Sequence, residues 1–176
     1  MINLFSPRHH GQVKIMKKIL LAAIIALAGA SFVSCSKESE ADKRHNQEQT
    51  YKNNLIGKWK VTAEKSSGNV YNLQYRLEGD YYITFKSDGS IETQGSAKTY
   101  GYYEGGSEFI TEDVNDYLGC VKWSLYYSEV TGADLYLYRT QNSSSSLHHV
   151  DFRTDGTIWV WFSGMSYRYY VLEKVQ

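Results

Sequence analysis

Phe85-Lys86-Ser87-Asp88-Gly89-Ser90-Ile91, FKSDGSI, returns sixty-seven residues later as Phe152-Arg153-Thr154-Asp155-Gly156-Thr157-Ile158, FRTDGTI. A two-residue loop at Asp88-Gly89 would set Phe85 opposite Glu92 and mix apolar with charged side chains on one face. A three-residue loop, Ser87-Asp88-Gly89, pairs Lys86 with Ser90 and Phe85 with Ile91, so both large apolar side chains point the same way. That loop is a type I turn closed by a glycine in the left-handed region. Asp suits the turn, and Gly takes positive φ at little cost. The same count pairs Phe152 with Ile158 around Thr154-Asp155-Gly156. Asp88, Gly89, Asp155 and Gly156 are therefore read as turn residues. A calcium loop needs several oxygen ligands at alternate positions, and neither copy has a second acid.

Outward from these hairpins the period is two. Leu55, Gly57, Trp59, Val61 and Ala63 share one face, as do Tyr71, Leu73, Tyr75 and Leu77. Tyr81, Ile83 and Phe85 follow, then Val121, Trp123, Leu125 and Tyr127, then Leu135 and Leu137. Alternation of this kind marks half-buried antiparallel strands. The supply of Tyr, Trp, Val, Ile and Thr agrees with it. The expectation is an all-β domain of eight to ten short strands over residues 55–176, arranged as a barrel or a sandwich.

The first third is of another kind. Met16-Lys17-Lys18 opens a basic start, Ile19 to Ala30 is an apolar run, and small residues lead to Cys35. Residues 1–34 are read as a secretory signal peptide, with 1–15 either an over-extended start or an unusually long leader. From Ile19 to Ser34 a helix would reach about 24 Å, short of a hydrocarbon core of ~30 Å. Phe32-Val33-Ser34-Cys35 resembles the lipobox of bacterial lipoproteins, which implies acylation of Cys35 and anchoring to the membrane by several chains. Residues 36–54 carry many charges and few large apolar side chains, so 35–54 is read as a lipidated cysteine and a flexible tether. The leader holds Arg8, Lys14, Lys17 and Lys18 and no acid, so the mature chain has 15 basic residues against 19 acidic ones. That balance gives no basic patch for nucleic acid. Cys120 is then the only other cysteine, which excludes an internal disulfide.

Asn54-Leu55-Ile56-Gly57-Lys58-Trp59-Lys60-Val61-Thr62-Ala63, with its Gly-x-Trp, resembles the opening strand of lipocalin-like proteins. The two F-x-x-D-G-[ST]-I hairpins and the closing Tyr170-Val171-Leu172-Glu173-Lys174-Val175 are similar to bacterial lipocalin-like lipoprotein domains. The resemblance implies an up-and-down antiparallel β-barrel, with a tryptophan closing one end and an arginine packed over it. Those residues would be Trp59 and Arg168, the latter a structural latch. The candidate barrel wall is Trp59, Phe85, Trp123 and Phe152. A ligand space of roughly 300–1,000 Å³ would be needed inside.

No nucleophile elbow, phosphate loop or metal-ligand cluster is present in the sequence, so catalytic, metal and cofactor assignments are none. His148 and His149 alternate and cannot share an ion from a regular strand; His149 and Asp151 share a face and form a surface pair. Cys120 is placed opposite Val121 and Trp123. Glu104, Glu108, Glu112, Asp113 and Asp116 read as a solvated acidic loop. The 16 Tyr, 6 Phe and 4 Trp exceed what one small core demands. Two functions follow as expectations for a monomer of the outer membrane, periplasmic or surface-facing. One is a non-enzymatic lipoprotein binding a small apolar or amphipathic ligand in its barrel. The other is a filled barrel whose tyrosines contact an extracellular protein or glycan.

Overall fold

The computed structural model describes residues 39–68, 73–162, 164 and 167–176; the leader and Cys35 lie outside them. Nine strands run β1 (Gly57–Ser66), β2 (Leu73–Phe85), β3 (Ile91–Tyr103), β4 (Glu108–Asp113), β5 (Lys122–Ser128), β6 (Gly132–Tyr138), β7 (Ser145–Phe152), β8 (Ile158–Trp161) and β9 (Arg168–Lys174). Among the described residues two helices accompany them, α1 (Glu40–Leu55) before β1 and the single turn α2 (Asn115–Leu118) between β4 and β5. The strands form one sheet in the order β4-β3-β2-β1-β9-β8-β7-β6-β5, antiparallel throughout. The class is all-β. Every connection except β1 to β9 joins chain neighbours, and that one pairing brings the two ends of the strand region side by side.

Both repeated hairpins close as three-residue loops. Phe85 pairs with Ile91 and Phe152 with Ile158. Gly89 N–H donates to the Lys86 carbonyl at 3.0 Å and Gly156 N–H to that of Arg153 at 3.2 Å, with φ of 82° and 84° at the glycines. Asp88 Oδ1 accepts from the Ser90 N–H and hydroxyl at 2.8 and 2.6 Å; Asp155 does the same with Thr157 at 2.9 and 2.7 Å. These bonds to the charged form hold both carboxyls below their ordinary values.

The sheet curls. β2 and β5 stand six places apart, which is roughly 29 Å in a flat sheet at ~4.8 Å per strand. Yet the rings of Phe85 and Trp123 meet edge to face with centroids 5.8 Å apart. The far strands also touch at an isolated bridge, Ser90 to Lys122, where Ile91 N–H donates to Val121 O at 2.9 Å and Trp123 N–H to Gly89 O at 2.8 Å. The ladder does not continue beyond this bridge, so the sheet is not closed into a barrel. Across the remaining gap runs α2, whose Leu118 and preceding Val114 are buried. The inner faces meet in one cluster that includes Trp59, Val61, Ile83, Phe85, Trp123, Leu135, Val160 and Leu172. At roughly 1.5–3 kcal/mol for each large apolar side chain withdrawn from water, this cluster is the main stabilising term.

Two expectations need correction here. Residues 40–55 are helix rather than flexible tether, and the compact unit that holds the sheet begins at Glu40. The stretch has no Gly or Pro, and Glu40–Lys43 and Glu48–Lys52 pair along it at 2.7 Å. Its docking uses few apolar side chains, which is why overall polarity misled. Leu55 is fully buried, and the Tyr51 ring lies 5.4 Å from Tyr127 and 5.0 Å from Phe152. Cys120 also departs from the expected face. It is buried together with Trp123, because the chain enters β5 only at Lys122 and alternation does not hold before it.

Candidate functional site

A bulge in β1 decides what the inner face carries. Between Val61, opposite Leu172, and Ala63, opposite Val171, β1 advances two residues while β9 advances one. Thr62 is the extra residue, and from there the inward parity flips. Trp59 and Val61 point inward as alternation requires, but the next side chain inside is Glu64 rather than Ala63. Glu64 is 3% exposed and stands one residue along β1 from the partner of Val171, opposite Tyr170.

Its counter-charge comes from β9. Arg168, 5% exposed, donates from Nε to Glu64 Oε1 at 2.8 Å and from Nη2 to the same oxygen. Nη2 also reaches Glu112 Oε2 of β4 at 2.5 Å. The guanidinium lies 4.6 Å from the centroid of Phe162 and 4.9 Å from that of Tyr75. Phe162 in turn packs against Tyr117 of α2 at 4.5 Å and Tyr170 at 4.8 Å. Strands β1, β2, β4 and β9 and helix α2 thus converge on one buried carboxylate, a second that is partly exposed, and one guanidinium, walled by aromatic rings.

The charges are not fully satisfied. Glu64 Oε2, Thr99 Oγ1, Tyr170 Oη and Tyr75 Oη are buried without a hydrogen-bond partner among the described residues. The Thr99 hydroxyl lies beside both Glu64 and Tyr170 without a well-formed bond to either. Burial pushes the Glu64 carboxyl above its ordinary value, against the opposing pull of Arg168. Burial also works against the charge on Arg168, but Glu112 and Glu64 more than offset it and keep the guanidinium protonated. Desolvation raises the Tyr75 phenol to about 12 and raises Tyr170 further, so both remain neutral hydroxyls.

The residues singled out from the sequence fall elsewhere. Trp59, Phe85 and Trp123 are buried in the apolar cluster. Phe152 is only partly buried. It lies under Tyr51 and borders a cleft of about 290 Å³ shared with Asn53, Asn54, Arg153 and Lys174. Arg168 does not lie over Trp59. It is in register with Ser66, seven residues along β1 and roughly 23 Å away at ~3.3 Å per residue. The cation over Trp59 is Lys174, which pairs with it in the ladder, its Nζ 5.3 Å from the ring. Trp59 Nε1 instead donates to the Leu55 carbonyl at 2.7 Å. Asp88, Gly89, Asp155 and Gly156 are turn residues in both hairpins.

The acidic segment is solvated only in part: Glu104, Glu108 and Asp116 are exposed, but residues 108–113 form β4 rather than a loop. Glu108 pairs with Arg76 at 2.6 Å, Asp113 accepts the Asn115 N–H at 2.8 Å, and Glu112 faces Arg168. His149 stands 3.3 Å from Asp151 and 3.6 Å from Asp134 on the outer face. His148 is buried inside: Nδ1 donates to the Trp161 carbonyl at 2.8 Å, which leaves Nε2 to accept from Ser146 at 3.0 Å. Burial holds that imidazole below its ordinary value. Sequence alone does not single out Glu64 or Thr99, and for Glu64 the reason is the bulge, which leaves no compositional mark and breaks the alternation that would place it.

The fold and this buried polar end define an all-β protein built on one curled antiparallel sheet with a charged inner face at one end. Comparisons with protein-family models, with curated proteins and with solved structures give no match.

Proposed function

We propose that the chain is a membrane-anchored, non-enzymatic, lipocalin-like lipoprotein of the outer cell envelope that holds a small amphipathic ligand within its curled sheet, with the lipid on Cys35. The observation that carries this reading is the polar end of the interior. Four buried polar atoms stand unpaired beside an ion-paired Arg168 and are ringed by Tyr75, Tyr117, Phe162 and Tyr170. A protein that only needed to fold would gain by replacing such a group with apolar side chains, since each unpaired buried polar atom costs about 1–3 kcal/mol. The near-sequential strand order and the Ser90–Lys122 contact between far strands support a sheet that wraps a ligand in the lipocalin manner. The test is native mass spectrometry of the full chain taken from the membranes of cells that make it. A retained small molecule is expected, and the bare polypeptide mass alone would overturn the reading. Cys35→Ala should move the protein from the membrane to the soluble fraction.

A second reading has an observation of its own. On the outer face of β8 and β9, Trp159 and Tyr169 stack at 4.5 Å and 21°, and Trp161 joins Tyr169 at 4.5 Å. Arg153 caps Trp159 at 4.1 Å, and Asp151 accepts the Trp161 Nε1–H at 2.8 Å. Tyr169 is buried, and the partly exposed Trp159 and Trp161, flanked by a donor and an acceptor, suit a sugar. Glycan binding abolished by Trp159→Ala, in a chain that retains no small molecule, would favour this surface role.

A further inference from the structure

We propose that the polar end of the interior takes a primary ammonium group, making the ligand a small amphipathic amine; this rests on the carrier reading above and specifies its head group. The charge count leads there. Two carboxylates, Glu64 and Glu112, face one guanidinium, and Arg168 is the only cation among the described residues that acts on Glu64. The cluster therefore has one more carboxylate than cation, and while Glu112 keeps some contact with water, Glu64 lies where water is excluded and charge is expensive.

Three classes of head group can be weighed against that excess. An anion would add a third negative charge beside Glu64 and Glu112. A neutral hydroxyl would leave the excess uncompensated. A monovalent cation neutralises it. Among cations, the unpaired atoms discriminate further. Glu64 Oε2, Thr99 Oγ1 and Tyr170 Oη, on residues no more than 3% exposed, each offer an acceptor. An ammonium group has three donors and no acceptor, which matches those three acceptors in number. A quaternary ammonium has no N–H and would leave all three unpaired. Divalent metals ask for several ionised oxygens, and the described residues hold no group of three metal-ligating side chains. The rings of Tyr117, Phe162 and Tyr170 provide apolar and π surface for the carbon chain attached to the head.

The test compares three probes of similar carbon chain and different head on the full chain in lipid nanodiscs: butylammonium chloride, 1-butanol and pentanoate, read by calorimetric titration against empty nanodiscs. Butylammonium is expected to bind at least about tenfold more tightly than 1-butanol, as a charge-assisted hydrogen bond implies. Pentanoate should not bind. Glu64→Gln keeps the shape, leaves Arg168 paired with Glu112, and should reduce butylammonium to the level of 1-butanol. If Glu64→Gln does not fold, Thr99→Val with Tyr170→Phe retains every charge and removes two acceptors, with the same expected loss of preference. Equal binding of butylammonium and 1-butanol, or binding of pentanoate, overturns the head-group assignment while the carrier reading stands. A chain that retains a native ligand yet binds none of the probes overturns it as well. A bare chain in the mass spectrum overturns the carrier reading and this inference together.

Discussion

The two ends of the inner face obey different rules. At the apolar end, around Trp59, Phe85, Trp123 and Leu172, the indole N–H groups are used up. Trp59 donates to the Leu55 carbonyl at 2.7 Å and Trp123 to that of Lys86 at 3.0 Å. At the polar end, around Glu64, Arg168, Thr99 and Tyr170, one guanidinium is shared between two carboxylates and hydrogen-bonding capacity is left over. Packed surface and satisfied donors give the first end its stability. The second carries a penalty that folding alone does not explain, and such local inconsistencies concentrate at functional positions.

The largest effects should come from removing the keystone of each end, and pH should tell them apart. Trp123→Ala empties a fully packed position and should cost about 3–5 kcal/mol. Arg168→Met should cost a similar amount, about 3–5 kcal/mol, because it strands Glu64 without its counter-charge. In that variant the upward push of burial on the Glu64 carboxyl is no longer opposed by the guanidinium. A carboxyl whose folded pKa lies above its unfolded value binds more protons in the folded state. Its stabilising contribution is therefore present at low pH and lost as pH rises through the folded value. Relative to the parent chain, Arg168→Met should recover part of its deficit between about pH 7 and pH 5, whereas the Trp123→Ala deficit should stay level. Urea unfolding at the two pH values measures both. Parallel behaviour of the two variants would mean that Glu64 is not the seat of the Arg168 penalty.

How far each end could be read from the sequence follows the same division. The apolar end was legible, because Trp59, Phe85 and Trp123 sit in regular alternation and the repeated Asp-Gly turns fix the register of both hairpins. The polar end was legible only as Arg168, and with the wrong partner. Strand register puts Arg168 beside Ser66 and Lys174 beside Trp59, and pairing across 100 residues of chain cannot be counted from one strand. Glu64 was hidden by the extra residue at Thr62. Glu112 looked like part of a solvated loop because its partner comes from a strand 56 residues on. Helix α1 was missed for a related reason: two side chains four apart, Tyr51 and Leu55, carry its docking, too few to register in an amphipathic pattern.

That helix supplies an intermediate effect on the apolar side. Tyr51→Ala removes ring contacts to Tyr127 and Phe152, each worth about 0.5–1.5 kcal/mol beyond area burial. A loss of about 1–2 kcal/mol is expected in urea unfolding, with faster amide exchange through residues 46–55. An unchanged exchange pattern would mean that α1 stands without its tyrosine anchor.

The smallest expected effect has the opposite sign and bears most directly on why the ends differ. Tyr170→Phe removes one hydroxyl from a fully buried ring and leaves the contacts of that ring with Phe162 and Tyr117 in place. If the hydroxyl had a good partner, its loss would destabilise the fold by about 0.5–1.5 kcal/mol. It has none among the described residues, so removing it relieves an unmet desolvation cost. The ligand-free variant should gain stability, by up to about 1 kcal/mol. The same change takes away an acceptor for the head group, so retention of the native ligand should fall as stability rises. The corresponding change at the apolar end, Trp123→Phe, cannot show this pairing. Its indole N–H already has a carbonyl partner, and losing it should lower stability without touching the ligand. Thermal unfolding and native mass spectrometry on the two variants set the comparison. Destabilisation by Tyr170→Phe with full ligand retention would make both ends ordinary core.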